Sequence, residues 1–215
     1  MPIRRFLICL IAILQLLVFS GAANAKTYPP LFGSKEIGSN NWNFKKGVVP
    51  DWRAMLGRWK NGAPCETKIC TSKDWASLVS KVKGAGDPMA QIKTANSLMN
   101  KNPYIEDIPN WGKSDFWATS YEFLKKSGDC EDYAISKYML LNEVGIPTEN
   151  MRIFTVRIRS LGGIGHAVLV VYQADKAWVL DNRTPSVMDA SLIKLEFQPV
   201  MSLNEFQWWY HLPSK

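Results

Sequence analysis

Within Ser127-Gly128-Asp129-Cys130-Glu131-Asp132-Tyr133, one cysteine stands among three carboxylates at what reads as a helix start. Asp129 is a preferred N-cap residue, and Asp132 three positions on approximates a capping box. Cys130 then takes the first helical position, where backbone N–H groups are unsatisfied and the helix dipole favours negative charge. That placement is expected to lower the thiol pKa and make a nucleophile. The same residues also suit a buried structural thiol at an ordinary helix start, because cysteine is among the most buried residue types. The acids carry two readings of their own. Asp129, Glu131 and Asp132 are hard oxygen donors able to fill part of a calcium shell of about six to eight oxygens; alternatively they cap the helix and form a solvated acidic face. Their spacing is not that of an EF-hand.

A nucleophilic thiol needs a proton acceptor, and the chain has two histidines, His166 and His211. His166 opens a strongly β-forming run over 166–172, and 177–180 is a second apolar strand ending at Asp181. With 173–176 as a four-residue hairpin loop, Tyr172 opposes Ala177, Val170 opposes Val179 and Val168 opposes Asp181. His166 then shares a face with Val168 and becomes a diagonal neighbour of Asp181, roughly 5–8 Å away at the backbone and within side-chain reach. A loop of odd length would put the two on opposite faces. A lone histidine on a strand also reads as structural. Taken with the helix-start cysteine, the spacing supports a Cys-His-Asp set. Cys130 supplies the thiolate, His166 takes the proton and returns it to a leaving amine, and Asp181 orients the ring. The Cys130 N–H is one oxyanion donor, and the second has no assignment.

The elements that must hold these residues are helices first and strands after. Trp52, Met55, Leu56 and Trp59 give helical spacing over 50–59, as do Trp75, Leu78, Val79 and Val82 over 72–83. Asp87-Pro88 starts a third helix, with Met89, Ile92, Ala95, Leu98 and Met99 on its apolar face. Residues 26–48 and 104–113 read as irregular. Ser114 reads as the cap of a helix carrying Phe116, Trp117, Tyr121 and Leu124, which Gly128 stops. The Cys130 helix carries Tyr133, Ala134, Tyr138, Leu141 and Val144 and ends at Gly145 and Pro147. Beyond it, 152–159 alternates as a strand does, and 166–172 is apolar on both faces like a central strand. Strand-like pieces follow at 192–197 and 207–210. The fold class is α+β, with the nucleophile helix and the N-terminal helices packed on an antiparallel sheet.

The 215-residue chain opens with Arg4 and Arg5, an apolar stretch over 6–20 and Ala23-Asn24-Ala25. This is the pattern of a secretory signal over residues 1–25, too short and too poorly flanked for a comfortable membrane span. Residues 26–215 then form a single exported domain, and the Ala-x-Ala site points to a bacterial periplasm. Loss of the leader takes the net charge from +7 to +5, since it carries two arginines and no acid. The balance is mildly basic without dense Lys/Arg runs, which argues against nucleic acid. Cys9 leaves with the signal. Cys65 and Cys70 are the economical pair for a local disulfide in an oxidising compartment, and Cys130 is left free.

Gly128-Asp129-Cys130-Glu131-Asp132-Tyr133-Ala134, Gly165-His166-Ala167-Val168-Leu169 and Val179-Leu180-Asp181-Asn182 together resemble the bacterial transglutaminase-like cysteine proteinases, over residues 48–210. The resemblance implies a papain/transglutaminase-like fold whose Cys-His-Asp triad maps onto Cys130, His166 and Asp181. It implies calcium dependence, with Asp129 and Glu131 as ligands and Asp132 as a further one. Calcium is then expected to order the loop that aims Cys130. The resemblance implies a periplasmic endopeptidase that releases large biofilm adhesins by cutting near their N-termini, typically at a di-alanine site. It also implies an inner-membrane cyclic di-GMP receptor that sequesters the protease. Two other readings of the residues stand beside this one. One is a different thiol acyl-transfer enzyme, a transglutaminase or cell-wall amidase; the other is a non-catalytic calcium-stabilised binding module.

Overall fold

Apolar residues at three- and four-residue spacing fold the first part of the chain into α1 (Val48–Lys60), α2 (Ser72–Lys83) and α3 (Pro88–Met99). Two short helices follow, α4 (Asp107–Trp111) and α5 (Ser120–Lys126), and then α6 (Cys130–Glu143). The strands are β1 (Ser34–Ser39), β2 (Met151–Ile158), β3 (Ile164–Gln173), β4 (Lys176–Leu180), β5 (Met188–Asp189), β6 (Phe197–Leu203) and β7 (Trp208–Pro213). They form one antiparallel sheet in the order β1-β7-β6-β2-β3-β4-β5. This computed structural model describes residues 28–43, 47–61 and 72–213. The expected signal segment and the Cys65–Cys70 pairing lie outside the described residues.

The architecture is the expected α+β, and its centre is α6. Every residue from Asp132 to Leu141 is buried, as befits a helix enclosed on all sides. Trp52, Met55, Ile92 and Met99 pack around it from the other helices, and Leu169, Val171 and Leu203 meet it from the sheet. A second core covers the opposite face of the sheet, where Phe154, Val168, Val170, Val179 and Phe197 lie under Phe32. Burial on both faces explains why β3 reads as an unbroken apolar run rather than an alternating one.

Four expectations about individual elements change. The stretch expected to be irregular over 26–48 contains β1, which pairs along its length with β7. The supposed loop at 104–113 contains α4. The helix expected to start at Ser114 starts at Ser120 with Thr119 as N-cap, in a capping box with Glu122. The N–H groups that would have extended it backwards are taken by acids: Phe116 N–H donates to Asp107 Oδ2 and Ala118 N–H to Asp132 Oδ1. Residues 192–197 are not a strand; β6 begins at Phe197, after a single 3-10 turn at Ala190–Leu192.

Candidate active site

The turn before α6 is built on a close approach. A Cβ at Gly128 would stand 1.9 Å from Asp132 Oδ2 and 2.7 Å from its Cγ. Asp132 is fully buried. Its Oδ1 accepts the Ala118 N–H at 2.7 Å, and its Oδ2 accepts the Asp129 N–H at 3.3 Å. The second of these is the Asp132 half of the expected capping box. Ile105 N–H donates to Gly128 O at 2.9 Å, tying the turn to Tyr104 through a short parallel bridge. These contacts place Cys130 at the first position of α6, and it is a free thiol.

The histidine arrives by register. β3 and β4 pair as Tyr172↔Ala177, Val170↔Val179 and Leu169↔Leu180. Gln173 and Lys176 pair as well, so the turn is the two-residue Ala174-Asp175, both at positive φ (50° and 60°). Two central residues at positive φ give the tight primed turn whose twist suits a hairpin. Its parity equals that of the four-residue loop read from the sequence, so His166 and Asp181 share a face. His166 Nε2 and Asp181 Oδ1 lie 2.9 Å apart, both side chains buried. With Nε2 held there, Nδ1 is the ring nitrogen left for a thiol. The backbone N–H of Ala167, which follows His166 directly, works on the Cys130 thiol to lower its pKa.

Arg183 is a partner the sequence reading missed. Its backbone N–H donates to Asp181 Oδ1 at 2.9 Å, and its guanidinium donates to Oδ2 from Nε at 3.0 Å and Nη2 at 2.8 Å. Burial pushes the Asp181 carboxyl up, yet the hydrogen bonds from His166 and Arg183 outweigh it and hold the group below the usual carboxylate range. Asn100 Nδ2 anchors the same loop through the carbonyls of Asp181 and Thr184, both at 2.9 Å. The available signal was an Asp followed two residues later by a basic side chain at a strand end, a spacing at which backbone and side chain both return to the carboxylate.

The thiol departs from expectation. Burial raises Cys130 well above its usual value, and the charges of Glu131 and Asp129 add to it. Sγ donates to Glu131 Oε2 at 3.2 Å, and the Ala167 N–H offsets only part of the rise. The helix start alone does not prevail over burial and two adjacent acids.

Those acids extend beyond the three read from the sequence. Ligand atoms of Asp129, Cys130 and Glu131 lie within 4.8 Å of one another, as do those of Asp107, Asp115 and Glu131, and of Asp107, Asp129 and Asp132. Asp107 on α4 and Asp115 after it were missed because their segment read as a connecting loop. Burial first, then Asp129, pushes Glu131 up to about 10. Burial also pushes Asp107 up to about 6, against the Phe116 N–H, and raises Asp129. Asp107 Oδ1 and Asp129 Oδ1 are buried with no hydrogen-bond partner among the described residues. Orphaned carboxylate oxygens in a cluster made mostly of carboxylates fit a hard divalent cation such as calcium.

A sheet that brings a histidine and its aspartate to the N-terminus of a buried cysteine helix is the framework of papain- and transglutaminase-like cysteine proteases. The chain belongs to the bacterial transglutaminase-like cysteine proteinase (BTLCP) family, whose profile matches residues 64–215. It is therefore a cysteine protease by family. Calcium-bound LapG of Legionella pneumophila is 32% identical, covering 64% of this chain and 76% of that one, with a TM-score of 0.56. Two further structures of LapG from the same organism, one of them EGTA-treated, are each 30% identical, also with a TM-score of 0.56. No curated protein matches the chain. Among the described residues no helix is long and apolar enough to cross a membrane.

Proposed function

We propose that this protein is a calcium-dependent periplasmic cysteine endopeptidase that cleaves the N-terminal region of a large cell-surface adhesin, under control of a LapD-like inner-membrane cyclic di-GMP receptor. The observation that carries the catalytic part is the 2.9 Å pairing of His166 Nε2 with Asp181 Oδ1, on a strand whose next residue, Ala167, lends its N–H to lowering the pKa of the Cys130 thiol. The adhesin, the receptor and the periplasm are supported by the family resemblance of the Asp-Cys-Glu-Asp-Tyr block and by the leader-like residues 1–25.

In this reading Cys130 passes its proton to His166 Nδ1 and attacks the scissile carbonyl. The Cys130 N–H, directed out of the first turn of α6, donates to the developing oxyanion. His166 then protonates the leaving amine, and an acyl-thioester remains on Cys130. His166 next takes a proton from water, whose oxygen displaces the thiol. Asp181, kept ionised by Arg183, steadies the imidazolium through both halves. Asp107, Asp115, Asp129 and Glu131 would hold calcium, with Asp132 fixing the turn beside them. Calcium supplies there the positive charge that lets clustered acids stay ionised and removes their field from the thiol. Glu131, engaged in that set, ceases to be the acceptor of the thiol proton, which leaves His166 to receive it.

The test is a cleavage assay with the purified protein and an N-terminal fragment of a large exported adhesin from the same genome. One discrete cut is expected with calcium. EGTA, Cys130→Ala, His166→Ala and addition of the cyclic di-GMP-loaded receptor are each expected to abolish it. A cut that persists in Cys130→Ala refutes the nucleophile, and one insensitive to EGTA removes calcium from the reaction. Amine incorporation without a cut would identify a transglutaminase.

A further inference from the structure

The segment that leads into α4 is drawn across the N-terminal end of α6 by two anchors. Tyr133, in the first turn of the helix, donates its hydroxyl to Asn102 O. Ile105 N–H donates to Gly128 O at 2.9 Å, and Tyr104 forms the parallel bridge with Gly128. Backbones paired in this way lie about 4.8 Å apart. Asn102 Nδ2 also donates to Met99 O at 2.8 Å, and Asn110 Nδ2 to Ser127 O at 3.1 Å, so the segment is held on both sides of Tyr104. Tyr104 stands between the anchors and therefore crosses the mouth of α6, beside the turn that delivers Cys130.

Its surroundings set it apart from the other aromatic residues near this turn. Phe123 and Tyr133 are buried with their ring centres 4.7 Å apart, and Trp117 packs on Trp52. Tyr104 is 55% exposed, so packing does not account for an aromatic side chain there. Its hydroxyl makes no hydrogen bond among the described residues. Partial burial, then the charge of Cys130, raises the phenol above its ordinary value. It therefore keeps its proton while Cys130 is a thiolate and remains a donor.

The chemistry assigned to Cys130 needs such a donor. When the sulfur bonds to the scissile carbon, the carbonyl π pair moves onto oxygen, and the Cys130 N–H alone meets it so far. Other donors near the turn are engaged or enclosed: the Tyr133 hydroxyl by Asn102 O, Asn100 Nδ2 by the carbonyls of Asp181 and Thr184, and Trp111 Nε1 by burial. We propose that Tyr104 is a catalytic residue whose hydroxyl is the second oxyanion donor, acting with the Cys130 N–H on the carbonyl oxygen. Neither donor gives up its proton. As the C–N bond breaks, the pair on oxygen re-forms the carbonyl, the amine leaves with the proton from His166, and the acyl-thioester remains. The proposal deepens the protease reading and rests on it for Cys130 as the nucleophile.

The experiment compares two electrophiles at the same thiol in Tyr104→Phe. p-Nitrophenyl acetate acylates Cys130 through a tetrahedral oxyanion, whereas iodoacetamide alkylates it by displacement at a methylene carbon and forms none. Both rates are measured on the full chain with calcium, at the high-pH plateau where the thiol is ionised, with Cys130→Ala as background. Neither readout needs the adhesin. Tyr104→Phe is expected to acylate about 100-fold more slowly, the lower end of the loss for one oxyanion donor, with alkylation within about twofold of wild type. Its melting temperature should be unchanged. Tyr104→Ala should lose no more in acylation than Tyr104→Phe, which places the effect on the hydroxyl. Where an adhesin fragment is cut, the loss falls on kcat and not on KM. A parallel fall in acylation and alkylation would place Tyr104 on the thiol rather than on the oxyanion and overturn the proposal. Equal acylation in wild type and Tyr104→Phe overturns this proposal alone, whereas wild-type acylation no faster than that of Cys130→Ala removes the nucleophile and overturns the protease reading with it.

Discussion

Replacing Gly128 with alanine places a methyl group where Asp132 already stands. The new Cβ would lie 1.9 Å from Asp132 Oδ2, 2.7 Å from Cγ and 2.8 Å from Cβ. Because Asp132 Cβ is itself too close, no side-chain rotation clears the contact, and the backbone of the turn must move. Gly128 is not at positive φ, so the demand is for space and not for a left-handed conformation. Moving the turn releases the Ala118 N–H and the Asp129 N–H from the Asp132 carboxylate. At about 1.5 kcal/mol for each hydrogen bond to such a group, the variant loses roughly 3 kcal/mol. In a domain of this size that lowers the melting temperature by roughly 6–12 °C. Cys130 is two residues on, and displacing a nucleophile by about 1 Å costs on the order of 10²-fold in rate. Circular dichroism melting with calcium present, and kcat/KM measured well below the melting point, check both effects. A Gly128→Ala protein that melts within about 2 °C of wild type and cleaves at the wild-type rate would refute the reasoning.

Two further outcomes test separate parts of the molecule. Asp107→Asn removes a charge from a buried oxygen cluster and is expected to weaken calcium binding at least about tenfold, near 1.4 kcal/mol, as read by isothermal titration calorimetry; equal affinities would exclude Asp107 from the ligand set. His211 lies between Ser34 Oγ and Ser202 Oγ, each 2.9 Å from a ring nitrogen, and burial followed by the charge of Arg152 lowers it to about 4 from 6.5. The unfolded chain then binds a proton that the native state refuses. His211 therefore imposes no penalty above pH 6.5, and stability falls as pH drops from about 6.5 toward 4, by roughly 3 kcal/mol. Melting curves across that window should be flatter for His211→Asn than for wild type, and parallel curves would show that His211 does not contribute.

The pairing of His166 with Asp181 was legible because strand parity survives a change of turn: two residues or four between the strands give the same faces. The start of α6 was legible because its capping residues are local. What the sequence concealed is what depends on distant contacts. Asp107 and Asp115 gain meaning only when α4 folds back against the turn at Gly128. β1 carries mixed polar residues and finds its partner at the far end of the chain. The false helix start at Ser114 followed from an aromatic run that matched helical spacing, while the true start carried its own signal, Thr119 three residues before Glu122. The direction of the thiol shift was misread because the helix dipole acts locally, whereas burial and the charges of Glu131 and Asp129 are properties of the assembled site.

The pairing of β1 with β7 bears on when the molecule can be finished. Ser34 lies opposite Pro213 and Ser39 opposite Trp208, so the first described strand is fastened to the last. Arg152 secures the seam, 2.9 Å from Glu36 on β1 and 3.6 Å from the Trp209 ring centre on β7. A chain emerges N-terminus first. β1 therefore waits without its β7 partner until β7 appears, and the buried arginine waits with it. Along the export route proposed above, this latch keeps the domain from closing into its final form until β7 has followed β1 across.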